Sequence, residues 1–391
     1  MEAFYIALAA HSTLLWVAFA LLPWRPWSNR EVLDAMDGDD GDEVLREITV
    51  VIPARNEAEV IQQTLQSVIE QGPGLKIVLI DDNSEDATVE KARQMRISNL
   101  RIIQSSPLPA GWSGKLWALE QGRLQVTTPH MLLLDADIEL ARGIVKTLRK
   151  KMDRQGIPFL SLMAVPSMSG RWEKLLMPAF VYFFKVLYPF RRVNSHTTNL
   201  AAAAGGCILV KARLLDQIGG FESVKSAVID DCALAGKVKS QGTKIWLGLT
   251  HSVKSVRRYQ QLGEIWDMVA RTAFAQLHYS VGLLIGCTLV MVLAYQVPVV
   301  MVASSNILIR YLSLGSLVMM LLTYVPILRF YHRSWSWALC LPLIAAIFLA
   351  MTWTSAIRYR RGERTRWKGR VYQRQVARVE LSENRQRELK P

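Results

Sequence analysis

Apolar positions are unevenly distributed along this chain, and their grouping divides it before any motif is considered. Residues 4–22 form an apolar run in which His11 is the sole side chain that ionises near neutral pH. A bilayer-spanning helix needs about 20 such residues. Lys and Arg are missing before the run, while Arg25 and Arg30 follow it. A secretory leader carries its positive charge in front, so the pattern predicts an uncleaved anchor with the N-terminus outside and the following chain in the cytoplasm. Three more apolar runs lie near the other end, at 281–303, 312–330 and 337–357. They hold no Asp, Glu or Lys, and Arg329 lies only at an edge. An ion path through a membrane usually needs carboxylates, so these runs predict a lipid platform and exclude a transporter.

Between the anchors, over residues 47–278, short apolar runs alternate with helical periodicity. Residues 48–52 are largely β-branched and end at Pro53. A helical pattern covers about 57–71 and stops at Gly72-Pro73-Gly74. Residues 76–80 lead into Asp81-Asp82, a second helical pattern covers about 87–95, and residues 100–103 form a third short strand. Residues 131–134 form a fourth and lead into Asp135-Ala136-Asp137. Alternating strands and helices predict an α/β domain with a mainly parallel sheet covered on both faces, and continuous apolar strands agree with that burial. The polar clusters fall at the carboxyl ends of strands, the edge where open α/β sheets bind ligands.

Charge changes the picture at one place. Of the net +14, the tail 358–391 supplies +8, from twelve Lys and Arg against four Asp and Glu. Its position directly after an apolar run predicts contact with anionic lipid headgroups rather than nucleic acid. A basic tail belongs on the cytoplasmic side, yet three full crossings after a cytoplasmic domain would put it outside. One run must therefore be re-entrant or interfacial, and 281–303, interrupted by Gln296 and Pro298, is the candidate. Four scattered cysteines form no C-x-x-C pair, which argues against a structural zinc or redox dithiol. His130, His196, His251 and His278 lack metal-ligand spacing.

Asp135 and Asp137 alternate along an extended chain and so point the same way. Two carboxylates on one face suit Mg²⁺ or Mn²⁺, although such a pair also occurs as a solvated turn or helix cap. Asp81 and Asp82 can accept hydrogen bonds from a base or a ribose, or belong to a turn with Asn83 and Ser84. Asp230 and Asp231 precede a helical pattern over 232–239, either as caps or as an orienting group and a general base. In Gly111-Trp112-Ser113-Gly114-Lys115 the glycines permit close approach to a phosphate and Lys115 adds charge, but the spacing is not that of a P-loop. Ser113 lacks triad partners. The small residues 201–206 and the turn 218–221 leave room for a sugar ring or a tight bend. Residues 172–190 are strongly aromatic, with an apolar stripe from Leu175 to Leu187 that fits a core helix or an interfacial one.

As an ordered set, V-V-I-P-A-R-N-E (50–57), I-D-D-N-S (80–84), G-W-S-G-K (111–115), D-A-D (135–137), I-G-G-F (218–221) and D-D (230–231) resemble the family 2 glycosyltransferases. The segments at 172–184, 187–190, 201–207, 229–235 and 263–274 resemble more narrowly the hopene-associated membrane subfamily. The resemblance covers about 47–278 and implies a GT-A fold, Rossmann-like. It implies that Pro53, Arg55, Glu57, Asp81 and Asp82 hold the base and ribose of a nucleotide-sugar, most often UDP-linked. Lys115 would lie near the donor. Asp135 would contact the donor and share a divalent metal with Asp137. Asp231, supported by Asp230, would take the proton of an acceptor hydroxyl during an inverting transfer. The Q-x-x-R-W motif of processive members is absent; Arg257, Arg258 and Arg271 are the nearest basic candidates, which weighs against a polymer synthase.

The expected organisation is an anchor at 1–25, a linker at 26–46, a GT-A domain at 47–278, membrane segments at 279–357 and a basic cytoplasmic tail at 358–391. The domain divides into a nucleotide-sugar half at 47–160 and an acceptor half at 161–278. The expected protein is a multi-pass enzyme of the bacterial inner membrane that glycosylates a lipid, a hopanoid-like one as the subfamily resemblance implies. The rivals are a polyprenyl-phosphate sugar synthase or short-polymer synthase, and a catalytically silent nucleotide-sugar-binding partner.

Overall fold

The computed structural model describes residues 1–36, 42–367 and 370–373. Eight strands form one sheet: β1 Ile48–Ala54, β2 Lys76–Asp81, β3 Leu100–Gln104, β4 His130–Leu134, β5 Ile138–Leu140, β6 Phe159–Val165, β7 Cys207–Lys211 and β8 Ile245–Ser255. Their order is β3-β2-β1-β4-β7-β6-β8-β5. The half that the alternating pattern predicts, β3-β2-β1-β4, is parallel throughout. β7 enters antiparallel between β4 and β6, and β5 is antiparallel to β8.

Every residue of β1 is buried because both faces are covered. Val50 and Ile52 pack with Ile61 and Leu65 of the helix Ile61–Ile69, while Val51 packs on the other side with Ile80 and Leu116. The helix carrying Leu116, Gly114–Arg123, meets the sheet at Gly122. A Cβ there would lie 2.5 Å from Val51 Cγ1 and 2.6 Å from Ile80 Cδ1. Overpacking a close-packed layer costs about 1–3 kcal/mol. Gly122→Ala is therefore expected to lower the thermal unfolding midpoint in detergent, and an unchanged midpoint would show that the layer yields.

The apolar layer on the Val51 side continues without a break into membrane-type helices: Trp16, Leu176, Tyr182, Met320, Tyr324 and Met351 belong to one buried cluster. Among the described residues, four helices are long and apolar enough to span a bilayer: Glu2–Leu21, Val281–Met301, Ile307–Phe330 and Trp335–Arg360. The first and third run side by side in the same direction. Glu2 bonds Asn306 at one end, Thr13 bonds the Leu312 carbonyl and Ser316 midway, and Asn29 bonds the Pro326 carbonyl beyond the other end. Val281–Met301 carries a π-helical turn at Val292–Gln296, where Trp16 Nε1 donates to the Ala294 carbonyl at 2.8 Å.

Trp335–Arg360 behaves differently from the run singled out at 281–303. Just before it, Arg333 donates to the Met168 carbonyl and His332 lies beside His251. Midway, Phe348 packs on Phe183. At its end Arg358 pairs with Asp267 at 2.6 Å and Tyr359 stacks on Tyr279. It starts, passes and ends against the catalytic layer, with an exposed apolar stripe of Trp335, Leu339, Leu343, Trp353 and Ile357 on its outer side. The expected linker is partly pinned: Leu33 donates to the Leu249 carbonyl and Leu249 to that of Glu31, which adds a bridge beside β8. A short hairpin, Glu363–Trp367 with Arg370–Gln373, follows the last helix. Residues 374–391, the greater part of the expected basic tail, lie outside the described residues.

Candidate active site

The edge formed by the carboxyl ends of β1 and β4 opens into a cavity of about 1250 Å³. Pro53, at the end of β1, and Glu57, three residues past the strand, line it, as do Asp135 and Asp137. Lys115 reaches it from the first turn of Gly114–Arg123. Ser113 caps that helix by accepting the Leu116 N–H at 3.3 Å, which explains the serine without a triad. Asp230 and Asp231 open the helix Asp230–Ser240 on the far side of β4 and complete the wall.

Arg55, Asp81 and Asp82 are buried but stand off this wall. Arg55 donates to the carbonyls of Asp82 (2.6 Å) and Asn83 (2.8 Å), and the Asp82 N–H donates to the Ala54 carbonyl. Asp81 accepts from the Ser84 N–H. These contacts hold the β1 and β2 loops against each other, and they realise the turn that Asn83 and Ser84 suggested.

Lys115 Nζ lies 2.7 Å from Asp135 Oδ1. Burial works against the lysine's charge, but Asp135, Asp230 and Asp231 outweigh it and raise its pKa. For Asp135 the balance goes the other way: burial is largest and pushes the carboxyl up, Lys115 opposes it and Asp137 reinforces it. Asp231 Oδ2 accepts the Gly205 N–H at 2.8 Å, and its Oδ1 accepts the Cys232 N–H at 2.7 Å. Burial, then Asp230, push Asp231 up to about 6 against the pull of Lys115. A carboxyl so placed is held by two amides, ionised at neutral pH and more basic than a solvated one, the combination a general base requires. The small residues 201–206 acquire a reason here: a Cβ on Gly205 would sit 3.3 Å from Asp231 Oδ2 and 3.4 Å from Lys115 Nζ.

Sequence reasoning left Arg257 without a role. Its Nε donates to Asp137 Oδ2 at 2.6 Å, and its Nη2 donates to Glu57 Oε1 at 2.7 Å and Oε2 at 3.0 Å. The opposite wall is apolar. Phe180, Phe183 and Phe184 come from Arg171–Leu187, the aromatic stripe that the sequence marked as a core or interfacial helix, whereas Trp16 and Phe19 of the first membrane-type helix and Tyr295 and Phe348 of later ones were missed. Aromatic residues in the last turns of the first apolar run were the available signal. Among the described residues, eight carboxylates line the cavity (Glu57, Asp135, Asp137, Asp230, Asp231, Glu264, Asp267, Glu363) against four cations (Lys115, Arg257, Arg271, Arg358).

Comparison with known proteins agrees with this geometry. Residues 49–219 match the model of glycosyl transferase family 2. The chain is similar to a 4,4'-diaponeurosporenoate glycosyltransferase of Staphylococcus aureus (strain USA300), at 25% identity over 83% of this chain and 88% of that protein. The corresponding protein of the bovine strain RF122 / ET3-1 is 24% identical over 84% and 88%. Among solved structures it is similar to the mannosyltransferase PcManGT from Pyrobaculum calidifontis in complex with GDP-Man and Mn²⁺, with a TM-score of 0.56 and 16% identity over 90% of this chain and 98% of that one. This protein is a glycosyltransferase. More particularly, its fold is GT-A, and the family 2 likeness lies in residues 49–219.

Proposed function

We propose that the enzyme transfers one sugar from a nucleotide-sugar, UDP-linked by the family's habit, to the hydroxyl of a membrane lipid, with inversion at the anomeric carbon. The observation that carries this reading is the single cavity with catalytic carboxylates at one end and an aromatic, membrane-helix wall at the other. Asp231 accepts the acceptor's O–H proton, the oxygen attacks the anomeric carbon, and the bond to the nucleoside diphosphate breaks. Lys115 stands where the departing charge develops. Asp135 and Asp137 suit a divalent cation as paired oxygen donors whose crowded charge a dication relieves. Among the described residues no third His, Cys, Asp or Glu joins them, so waters and the donor's phosphates would complete its shell. Bound there, the cation would neutralise the leaving diphosphate. The structural neighbour's GDP-Man and Mn²⁺ are consistent with such a donor and metal.

The excess of carboxylates over cations in the cavity favours a neutral acceptor such as a polycyclic alcohol of hopanoid type. The Staphylococcus relatives are named for an -oate, an anionic acceptor, which makes a phosphate or carboxylate lipid the second reading. The test is nucleotide release from purified protein offered UDP-glucose, UDP-N-acetylglucosamine and GDP-mannose, with Mn²⁺ or Mg²⁺, and with hydroxyl, carboxylate or polyprenyl-phosphate lipids. Release that requires the hydroxyl lipid and is lost with chelator supports the proposal. Release only with the anionic lipids moves the reading to them, and donor binding without any release favours a silent partner.

We read the chain as anchored in the bacterial inner membrane with the domain cytoplasmic. Three helices cross, and Trp335–Arg360 lies along the inner face, which returns the tail to the cytoplasm. In a background lacking the native cysteines, Ser382→Cys is expected to react with an impermeant maleimide in inverted vesicles and not in intact cells. The opposite result would require a fourth crossing.

A further inference from the structure

Each carboxylate of the Asp135–Asp137 pair already has a cation in the empty enzyme, but the two cations differ in what they can do. Lys115 belongs to the site floor, where Asp135, Asp230 and Asp231 share it. Arg257 arrives from outside that cluster. Antiparallel pairing sets Ile138 opposite Ser255, and the Val256 N–H donates to the Asp137 carbonyl at 2.8 Å. That register delivers the next side chain, Arg257, onto the Asp137 carboxylate. Its guanidinium then spans to Glu57, past the end of β1, and uses both sides of its fork. Glu57 and Asp137 are both nearly covered, and a covered carboxylate stripped of its partner is strongly disfavoured.

We propose that Arg257 guards the cation site: it occupies Asp137 in the empty enzyme and yields it to a divalent cation when the donor's diphosphate offers the guanidinium another anion. Arg257 is thus a positioning residue that couples metal uptake to nucleotide uptake. The inference rests on the reading of Asp135 and Asp137 as a cation site. Coupling of this kind is reciprocal and typically amounts to a factor of about 5–150 in affinity. An arginine suits the task because its planar fork binds carboxylates and phosphates alike in a two-pronged manner, which a lysine cannot do.

The test is direct Mn²⁺ binding to the detergent-purified full chain, followed by the paramagnetic signal of free Mn²⁺, with no nucleotide, with UDP and with GDP. No lipid and no turnover are involved. The parent protein is expected to bind Mn²⁺ about tenfold more tightly with a nucleoside diphosphate than without. Arg257→Gln is expected to bind Mn²⁺ about tenfold more tightly than the parent without nucleotide, and to lose most of the difference that nucleotide makes. Arg257→Lys, which keeps the charge but cannot span both acids, should fall between them and serves if the glutamine variant does not fold. Unchanged or weaker Mn²⁺ binding in a folded Arg257→Gln protein without nucleotide would overturn the proposal while leaving the cation site standing. No Mn²⁺ binding to any form, with or without nucleotide, would overturn both.

Discussion

Asp231→Asn is expected to fold and to bind donor, and to transfer sugar about 10²–10⁴-fold more slowly than the parent, the usual contribution of a positioned general base. The amide keeps the shape, but its one oxygen can accept only one of the Gly205 and Cys232 N–H groups, which bond different oxygens of Asp231; that forfeited bond, worth about 1 kcal/mol, weighs on stability, whereas a rate loss of this size reports the missing base. The pH profile provides the second arm. With Asp231 pushed up to about 6, kcat/KM of the parent should fall as pH drops through that value, and the residual activity of the variant should lack this limb. The sign for stability is opposite. A carboxyl raised from its ordinary 3.8 binds its proton more tightly when folded, so its contribution is full below about 4 and is lost as pH rises through 6. Asp231→Asn escapes that loss, so its stability relative to the parent should rise by about 1–2 kcal/mol between about pH 4 and pH 8 after allowance for partial solvent screening. An inactive variant whose relative stability does not change with pH would assign Asp231 a structural role instead.

Lys115→Met has the second largest expected effect. It leaves Asp135, Asp230 and Asp231 together without the cation that Asp135 touches at 2.7 Å. Loss of one group that stabilises developing charge costs about 10²–10³ in rate. Because Lys115 pulls Asp231 down, its removal should also move the acidic limb of kcat/KM upward by about one pH unit. Lys115→Arg should hold the limb in place while recovering only part of the rate. A methionine variant with reduced rate and an unmoved limb would separate Lys115 from Asp231 and confine it to the donor.

The strands and their acidic ends were legible because β1, β2 and β4 are buried on both faces and read as nearly unbroken apolar runs, and the first polar residues after them fall at the ligand edge. Asp135, Asp137, Lys115, Asp230 and Asp231 follow from that rule together with motif order. Arg257 does not. Its partners Glu57 and Asp137 lie 200 and 120 positions away, and only the β5–β8 register brings them together. Arg55 shares its motif with Glu57, and Asp81 lies in the next one, yet both turn to the loop backbone; such a difference in direction along an irregular segment leaves no trace in composition. The helix Trp335–Arg360 was opaque for a different reason. An apolar stripe with a packed opposite face looks the same whether the outer side meets lipid across a bilayer or along its surface, and the proposed placement along the surface rests on the contacts of Arg333 and Arg358.

The attachment of that helix at its start, middle and end has a consequence for which lipids can react. A domain tethered by a single anchor can tilt and rise, and so sample acceptors at many distances from the headgroup plane. With that helix along the inner face, as proposed above, the domain would be strapped flat, and Asp231 would stay at one height above the bilayer. Selection then falls on how far an acceptor's oxygen projects from its hydrocarbon body. Lipids with one and the same reactive group should be ranked by the length of the spacer beneath it, with an optimum and a decline on either side.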